Sequence, residues 1–475
     1  MKSIQLFLVI AASLLTTTGA VSLHKRQDGS DPRVLSLDLH RHQFQDPVTH
    51  DRNRQQRRSG SVDVDIDNEQ TLYYFNASLG TPKQSFRLHL DTGSSDLWVN
   101  TLDSPLCSTA SNLCGESGTY NANKSSTYEY IDSYFNISYA DGSGASGDYV
   151  TDTFRVGDVK IANLQFGVGY ESSSDQGVLG IGYDINEAQV DRAGGSAYKN
   201  LPAKMAADGL IASNAYSLFL NDLSSQTGTI LFGGVDRAQY EGDLITVPIE
   251  KNDGVYSDFF IALTGLSFGS TTIDDNIALA VLLDSGTSLT YLPESITDVI
   301  FEQVDAVYQE ANGVAFVPCS LASETGNLTF KFSDPVEIVV PISELVIDYL
   351  EITGRQLAFD DGSEACMFGI APCSGTNVLG DSFLRSAYVV FDLENNEISL
   401  AQSNFNTTGS DIVEIGSGEN AVPSATDAEG LVASESGLPS GLPSGSGATV
   451  ISPSSSGSVL IGVVTLLLVF ARFLA

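Results

Sequence analysis

The sequence Leu-His-Leu-Asp-Thr-Gly-Ser at residues 88–94 returns in outline as Val-Leu-Leu-Asp-Ser-Gly-Thr at residues 281–287. Each copy is an apolar, strand-like run that delivers one Asp, followed by a hydroxyl residue, a Gly and a second hydroxyl residue. A carboxylate at the end of an apolar strand costs free energy unless it is hydrogen-bonded, so its presence indicates a function. Two such acids, Asp91 and Asp284, predict a carboxylate pair formed where two similar lobes meet.

A second element repeats at similar distances behind the two acids. It reads Gly-Val-Leu-Gly at residues 177–180 and Asn-Val-Leu-Gly at residues 377–380. Apolar residues that end in Gly are typical of a strand that another backbone approaches closely, because Gly has no side chain to obstruct it. Repetition over about half the chain length favours a duplicated lobe.

With these motifs the chain resembles the pepsin-like aspartic proteases from about Thr71 to Ser403. The resemblance depends on residues 91–99, Asp-Thr-Gly-Ser-Ser-Asp-Leu-Trp-Val, and on the Asn-Val-Leu-Gly-Asp-Ser-Phe-Leu-Arg of residues 377–385. The stretch from Phe383 to Ala401 is most similar to the fungal candidapepsin and yapsin branches. The resemblance implies an all-β fold of two related lobes with a cleft between them, few short helices such as one from Glu294 to Ala311, and no metal or organic cofactor.

Asp91 and Asp284 are the predicted catalytic pair. Amide hydrolysis by this route needs one carboxylate to take a proton from water while its protonated neighbour donates to the substrate carbonyl oxygen. Two carboxylates about 3 Å apart cannot both ionise, so the pair shares one proton and acts at acidic pH. The resemblance implies supporting roles: Ser94 and Thr287 hydrogen-bond the outer carboxylate oxygens, and Thr92 and Ser285 brace the two loops.

Residues 139–144, Tyr-Ala-Asp-Gly-Ser-Gly, predict a hairpin, because Asp-Gly separates the strand-like stretches 134–138 and 145–154. The resemblance implies that this hairpin is a flap over the substrate, and that Trp98, the only Trp, hydrogen-bonds its Tyr139. A surface hairpin and a core Trp are the alternatives. The residues expected to contact substrate are Tyr139, Asp141, Gly93, Gly286 and Thr287.

Other chemistries are excluded by their surroundings. Residues 142–147 match G-x-G-x-x-G but lead into a strand where a nucleotide site needs a helix. A nucleophilic Ser382 would need a base, and His89 is the only His after Arg58.

The formal net charge is −36, and its distribution is uneven. Residues 1–58 hold 9 of the 23 Lys and Arg but only 5 of the 59 Asp and Glu. The remainder is therefore strongly acidic, which argues against nucleic acid as a partner.

The N-terminus predicts two processed segments. Lys2, an apolar run and the small residues before Val21 are typical of a signal peptide over residues 1–20. Residues 21–58 are basic and end in Arg57-Arg58, which predicts a propeptide that is removed at this dibasic site; Lys25-Arg26 is an alternative site. We expect charge attraction to hold the propeptide over the acidic cleft near neutral pH.

Five Cys follow the signal peptide, so disulfides are expected. The resemblance pairs Cys107 with Cys114 and Cys319 with Cys366, and leaves Cys373; a Cys319–Cys373 pair is the alternative. Glycosylation of a secreted protein is predicted at the Asn-x-Ser/Thr sites Asn76, Asn123, Asn136, Asn327 and Asn406.

The C-terminal part changes in composition. We predict catalytic lobes at residues 59–235 and 236–405, and a disordered Ser/Gly/Pro-rich stalk at 406–458. Residues 459–475 are apolar apart from Arg472 but span only about 25 Å as a helix, against roughly 30 Å of hydrocarbon. This favours a GPI-attachment signal, with the lipid added near Ser446 or Gly447, over a single spanning helix.

Together these features predict a secreted, monomeric, GPI-anchored aspartic endopeptidase that cleaves protein and peptide substrates. It would act at the extracellular face of the plasma membrane or in the cell wall. An inactive pepsin-like wall-binding protein and a single-pass membrane processing protease are the alternatives. Cleavage specificity stays open between basic residues and a broad range.

Overall fold

The computed structural model describes residues 22–23, 33–43, 71–109, 113–139, 143–157, 159–190, 195–310, 313–350 and 356–439. Strands dominate this part of the chain. They form where β-branched and aromatic residues either alternate in burial, as along Asn327–Lys331, or stay buried throughout, as along Leu279–Leu283.

The first half of the chain contributes twelve strands and one α-helix among the described residues. The strands are β1 (Ser22–Leu23), β2 (Leu35–Gln43), β3 (Thr71–Leu79), β4 (Gln84–Asp91), β5 (Leu97–Asn100), β6 (Glu129–Ser138), β7 (Gly144–Val156), β8 (Val159–Ser172), β9 (Gly177–Gly180), β10 (Ala215–Phe219), β11 (Thr227–Phe232) and β12 (Gly234–Asp236). The helix is α1 (Leu201–Ala207), and short 3₁₀ turns lie at Leu113–Gly115, Ala122–Lys124 and Asp184–Asn186.

The second half, as far as it is described, repeats this character. Its strands are β13 (Tyr240–Pro248), β14 (Phe260–Leu263), β15 (Gly265–Phe268), β16 (Thr271–Asp274), β17 (Leu279–Leu283), β18 (Thr290–Pro293), β19 (Val307–Gln309), β20 (Val314–Pro318), β21 (Asn327–Lys331), β22 (Glu337–Pro341), β23 (Val346–Ile347), β24 (Leu357–Ala358), β25 (Glu364–Phe368), β26 (Ile370–Cys373), β27 (Val378–Leu379), β28 (Ala387–Asp392), β29 (Glu397–Ser403), β30 (Ile412–Glu414) and β31 (Thr426–Asp427). The helices are α2 (Glu294–Val304) and α3 (Asp381–Leu384), with 3₁₀ turns at Cys319–Ser323 and Ile342–Leu345.

One 15-stranded sheet joins the two lobes. Its path runs β31-β13-β29-β28-β10-β11-β2-β3-β4-β9-β5-β8-β7-β6, with β1 paired to β2. The lobes meet where β10 pairs antiparallel with β28, and smaller sheets complete the C-terminal lobe. The fold is thus all-β and bilobal, as predicted. The domain boundary at residue 235 stays a prediction; β12 crosses it and pairs with β30.

The described part of the predicted propeptide lies in this sheet. β2 pairs antiparallel with β11 on one side and with β3 on the other. Leu35, Leu37 and Leu39 alternate along it and are buried. Main-chain hydrogen bonds and apolar burial therefore hold residues 33–43, and the expectation of a segment held over the cleft by charge is wrong for this stretch.

The stalk predicted from residue 406 is also wrong for residues 406–439, which pack on the C-terminal lobe. β30 pairs with β12, and β31 pairs in parallel with the edge of β13. Ile415 is fully buried and Val422 nearly so. The main chain continues to Ser436, whose carbonyl accepts from the N–H of Ala280. A few apolar side chains suffice here because the lobe offers sheet edges for the segment to join.

The predicted helix from Glu294 to Ala311 is too long. α2 ends at Val304 because Asp305 adopts a left-handed conformation (φ 51°, ψ 38°), and β19 then pairs with β20. Within the described residues, the structure holds no helix of sufficient length and apolar character to cross a bilayer.

Both disulfides expected from the resemblance are present, Cys107–Cys114 and Cys319–Cys366, and Cys373 is a free, half-buried thiol. The Asn side chains predicted to carry glycans are exposed at four positions and half-buried at Asn136. The exposed four are Asn76, Asn123, Asn327 and Asn406.

Candidate active site

Two buried strands deliver the two acids. β4 ends at Asp91, and β17 ends one residue before Asp284. Both carboxyl side chains are at most 1% exposed. β17 is apolar and buried throughout, and β4 is buried over its last four residues, because both strands have neighbours on both sides in their sheets.

The second sequence repeat lies beside the first in each half. β9 pairs in parallel with β4, so that Gly180 lies opposite Asp91, and β27 pairs in parallel with β17. A Cβ atom at Gly180 would lie 2.5 Å from the main-chain nitrogen of Ser95, and one at Gly380 only 2.3 Å from the carbonyl oxygen of Thr287. Both positions require Gly, because the loop that follows each Asp passes directly over them.

Thr92 and Ser285 join the two Asp loops by reciprocal hydrogen bonds. The N–H of Thr92 donates to Ser285 Oγ at 3.2 Å, and the N–H of Ser285 donates to Thr92 Oγ1 at 2.9 Å. Each hydroxyl then donates to the opposite strand, Thr92 to the carbonyl of Leu283 at 3.0 Å and Ser285 to that of Leu90 at 3.1 Å. These four bonds hold the two halves in register where the acids lie.

Each carboxylate accepts the same two kinds of donor from its own loop. Asp91 Oδ1 accepts the N–H of Gly93 at 2.9 Å, and its Oδ2 accepts the hydroxyl of Ser94 at 2.5 Å. The matching donors to Asp284 are the N–H of Gly286 at 2.9 Å and the hydroxyl of Thr287 at 2.8 Å. Hydrogen bonds to a charged acceptor offset much of the cost of its burial.

This arrangement suits acid–base chemistry. The two carboxyls have near-identical hydrogen-bond donors, and the loops that carry them contact each other. The hydrogen bonding therefore does not assign one Asp as the acid and the other as the base. Such a pair can share a proton and exchange roles during a reaction cycle.

The residues expected to form the flap lie together in the N-terminal half of the chain. β6 and β7 form the predicted hairpin, in which Tyr139 donates its N–H to the carbonyl of Ser143 at 2.8 Å. The indole Nε1 of Trp98 donates to the hydroxyl of Tyr139 at 2.6 Å. Trp98 is fully buried, so the hydroxyl of Tyr139 is held by a partner that is itself fixed in the core. The predicted site residue Asp141 lies outside the described residues.

Reasoning from sequence missed two buried sets of ionisable side chains. One is the pair of acids Asp96 and Glu187, where Asp96 accepts a hydrogen bond from Tyr149 of β7; the other is the ion pair between Arg385 and Glu344. Asp96 stands five residues after Asp91 inside a quoted motif, but nothing in the local pattern shows that it is buried.

The comparisons with known proteins agree with this geometry. The family model for eukaryotic aspartyl proteases matches residues 72–403. The chain is 52% identical to the probable aspartic-type endopeptidase opsB of Aspergillus oryzae, over 94% of this chain and 92% of that protein. It is 36% identical to secreted aspartic protease 8 of Candida albicans, over 74% of this chain and 81% of that protein.

A solved structure shares the fold. The crystal structure of an aspartic proteinase from Irpex lacteus superposes with a TM-score of 0.58 and 22% identity, over 72% of this chain and 96% of that one. The family model and the extended similarity to the Aspergillus protein cover the motifs that carry both acids. The chain therefore belongs to the eukaryotic aspartyl protease family and is an aspartic-type endopeptidase.

Proposed function

We propose that Asp91 and Asp284 form one catalytic dyad that activates water for peptide-bond hydrolysis at acidic pH. The observation that supports this most directly is the symmetric hydrogen bonding: each carboxylate accepts one N–H and one hydroxyl, and Thr92 and Ser285 tie the two loops together.

In this mechanism one carboxylate is ionised and the other protonated. The ionised group takes a proton from a water molecule as that water attacks the scissile carbonyl carbon, and the protonated group donates to the carbonyl oxygen. The tetrahedral intermediate then collapses: the C–N bond breaks, and the amine leaves with a proton from the dyad. The donors from Gly93, Ser94, Gly286 and Thr287 hold both carboxylates in place throughout.

The substrates we propose are proteins and peptides bound in extended form in the cleft. Two features support this: the cleft lies between two β lobes, and the flap hairpin carries Tyr139 on a rigid partner, Trp98. A flap that closes over the chain excludes water from the reacting bond and positions it against the dyad.

The direct test is a pH–rate profile on a denatured protein substrate, with and without pepstatin. We expect hydrolysis to be fastest below neutral pH and to be abolished by pepstatin, and the active chain to begin at Ser59 if residues 21–58 are a propeptide. If the processed, folded protein shows no pepstatin-sensitive hydrolysis, the result would support the alternative of an inactive wall-binding protein. A start far from Ser59 would disprove the predicted propeptide boundary.

We also propose that the protein is secreted and held at the outer membrane face by a GPI lipid near Ser446 or Gly447. Two disulfides are typical of an oxidising, extracytoplasmic compartment. Ser446, Gly447 and the predicted tail 459–475 lie outside the described residues. Because residues up to 439 pack on the lobe, only residues 440–446 would separate it from the lipid, a reach of at most about 25 Å.

Phosphatidylinositol-specific phospholipase should release active enzyme from membranes, and a chain that stops at Thr449 should appear in the medium. The matched control stops at Asn404: it also lacks the anchor, but it lacks β30 and β31 as well, so we expect it to be secreted poorly. A membrane-bound protein that retains an intact Phe473-Leu474-Ala475 terminus would instead support the spanning helix.

A further inference from the structure

Behind the flap, the N-terminal lobe contains two buried carboxyls that take no part in the dyad. Asp96 precedes β5, and Glu187 follows the 3₁₀ turn Asp184–Asn186; both side chains are fully buried. A buried acid is costly unless it is paired with a cation or kept neutral, so two together need an explanation.

Asp96 is well supplied with donors. Its Oδ1 accepts the hydroxyls of Tyr149 at 2.8 Å and Tyr198 at 2.9 Å, and its Oδ2 accepts the N–H of Ala188 at 2.7 Å. Glu187 is less well supplied: Oε2 accepts the N–H of Tyr198 at 2.8 Å, while Oε1 is buried and no described residue hydrogen-bonds it.

The electrostatic partners of this pair within the described part of the chain are acids and tyrosines. Glu187 interacts with Asp96 and Asp184, and Asp96 with Tyr149 and Tyr198; Asp132 acts on Tyr149 from β6. Among the described residues, none of these electrostatic partners is a cation. Burial, reinforced by the neighbouring Asp96 charge, raises the pKa of Glu187 to about 11, and burial raises that of Asp96.

A continuous set of aromatic rings links the pair to the flap. Tyr149 packs edge-on against Tyr198 at 5.8 Å and against Phe135 at 5.2 Å. Phe135 lies 6.4 Å from Trp98, which holds the hydroxyl of Tyr139. A change at the two acids therefore acts on the rings that support the flap tyrosine.

We propose that Asp96 and Glu187 are positioning residues for the flap, and that their shared buried site tolerates at most one negative charge. This rests on the proposed role of the Tyr139 hairpin as a flap over substrate. With Glu187 neutral, Asp96 orients Tyr149 and Tyr198, and the rings behind Trp98 pack. Ionisation of both acids opens the cluster and frees Tyr139.

The sign of the pH effect follows from proton linkage. When the cluster opens, Glu187 regains an ordinary pKa near 4.5, whereas in the packed state it is raised. The packing is therefore most stable below about pH 4.5. Above that pH the open state releases its proton while the packed state keeps it, so opening becomes favoured about tenfold per pH unit. The packing that supports Tyr139 is thus most stable at acidic pH, and this pH dependence does not involve the dyad.

Trp98 provides the test, because it is the only Trp in the chain and its fluorescence reports on this cluster. The measurement uses the full chain with Asp284→Asn, which prevents self-digestion and makes the result independent of the proposed catalysis. We expect acrylamide quenching of Trp98 to rise steeply between pH 5 and 8. Adding Glu187→Gln should flatten that rise at least tenfold, since Gln keeps the acceptor for Tyr198 and carries no proton to lose.

Two further variants keep the test decisive. Asp96→Asn removes the other charge, so that Glu187 ionises more readily within the packed cluster; it should weaken the rise, and it covers the case of poor folding by Glu187→Gln. Asp184→Asn removes an exposed carboxyl on the adjacent turn and should change the rise only slightly, because Asp184 has the smallest influence among the groups that act on Glu187. The proposal is overturned if quenching keeps its wild-type pH dependence in both neutral variants, or if Asp184→Asn flattens it equally.

Discussion

The Asp284→Asn protein is expected to fold and to lose at least about 10³-fold in turnover. General acid–base catalysis contributes about 10²–10⁴-fold, and the amide of Asn can supply neither the proton nor the base that the dyad shares. The change is nearly isosteric, and the donors from Gly286 and Thr287 lie within the same loop, so the fold should survive. The measurement is kcat on a peptide substrate, with secretion and circular dichroism as checks of folding.

The double variant makes this prediction sharper. If Asp91 and Asp284 act as one unit, Asp91→Asn on top of Asp284→Asn should cost little more than either alone, because residues that work together show non-additive losses. Asp298→Asn, the same chemical change on the exposed face of α2, should leave kcat unaltered. Folded Asp284→Asn protein with near wild-type turnover would remove Asp284 from the mechanism.

The contacts around the two acids were predictable from sequence because they are made by residues within two short, repeated motifs. The residues that touch each carboxylate are two and three positions after it, as Gly93 and Ser94 are after Asp91. The reciprocal bonds of Thr92 and Ser285 follow once two copies of one motif face each other. Both the spacing within a motif and the repetition of the motif can be recognised in a sequence.

Contacts between distant segments were not predictable in the same way. Composition alone suggested a stalk after residue 405, yet Ile415 and Val422 are buried because β12 and β13 offer edges to the incoming chain. The choice of β2 as the strand between β11 and β3 is equally non-local. Ser and Gly in a segment weaken its own packing, but they do not prevent it from joining a sheet that already exists.

Local conformation and burial explain the other differences. The pattern of α2 continues past Val304, but Asp305 takes a left-handed backbone conformation that ends the helix. The sequence around Asp96 is equally compatible with an exposed and with a buried side chain at this position. Only the tertiary packing of Tyr149, Tyr198 and Glu187 around it shows that it is buried.

The second large effect is expected at the ion pair of Arg385 and Glu344. Arg385 Nε donates to Glu344 Oε2 at 2.8 Å, and the two side chains are only 1% and 7% exposed. Glu344 also accepts the N–H of Leu223 from the first half of the chain, and its carbonyl accepts Arg385 Nη2. The pair thus fastens the turn Ile342–Leu345 to α3, which follows the second Gly repeat.

Arg385→Met should reduce the free energy of unfolding by about 3–5 kcal/mol, because it leaves the Glu344 carboxylate buried without its cation. The measurement is the urea unfolding midpoint of the full chain in the Asp284→Asn background. Lys331→Met breaks an ion pair with Glu337 of similar length, 2.7 Å, but with side chains 45% and 50% exposed. It should cost less than about 1 kcal/mol, since solvent already screens that pair.

The double variant Arg385→Met with Glu344→Leu tests whether the loss in Arg385→Met comes from the carboxylate that is left buried without a partner. Replacing both partners by apolar side chains removes the uncompensated carboxylate, so the double variant should recover about half of the loss. The N–H of Leu223 loses its acceptor in that variant. We therefore expect the double variant to remain about 1–3 kcal/mol less stable than the protein with both partners. If Arg385→Met costs no more than Lys331→Met, the buried pair is not what fastens the turn to α3.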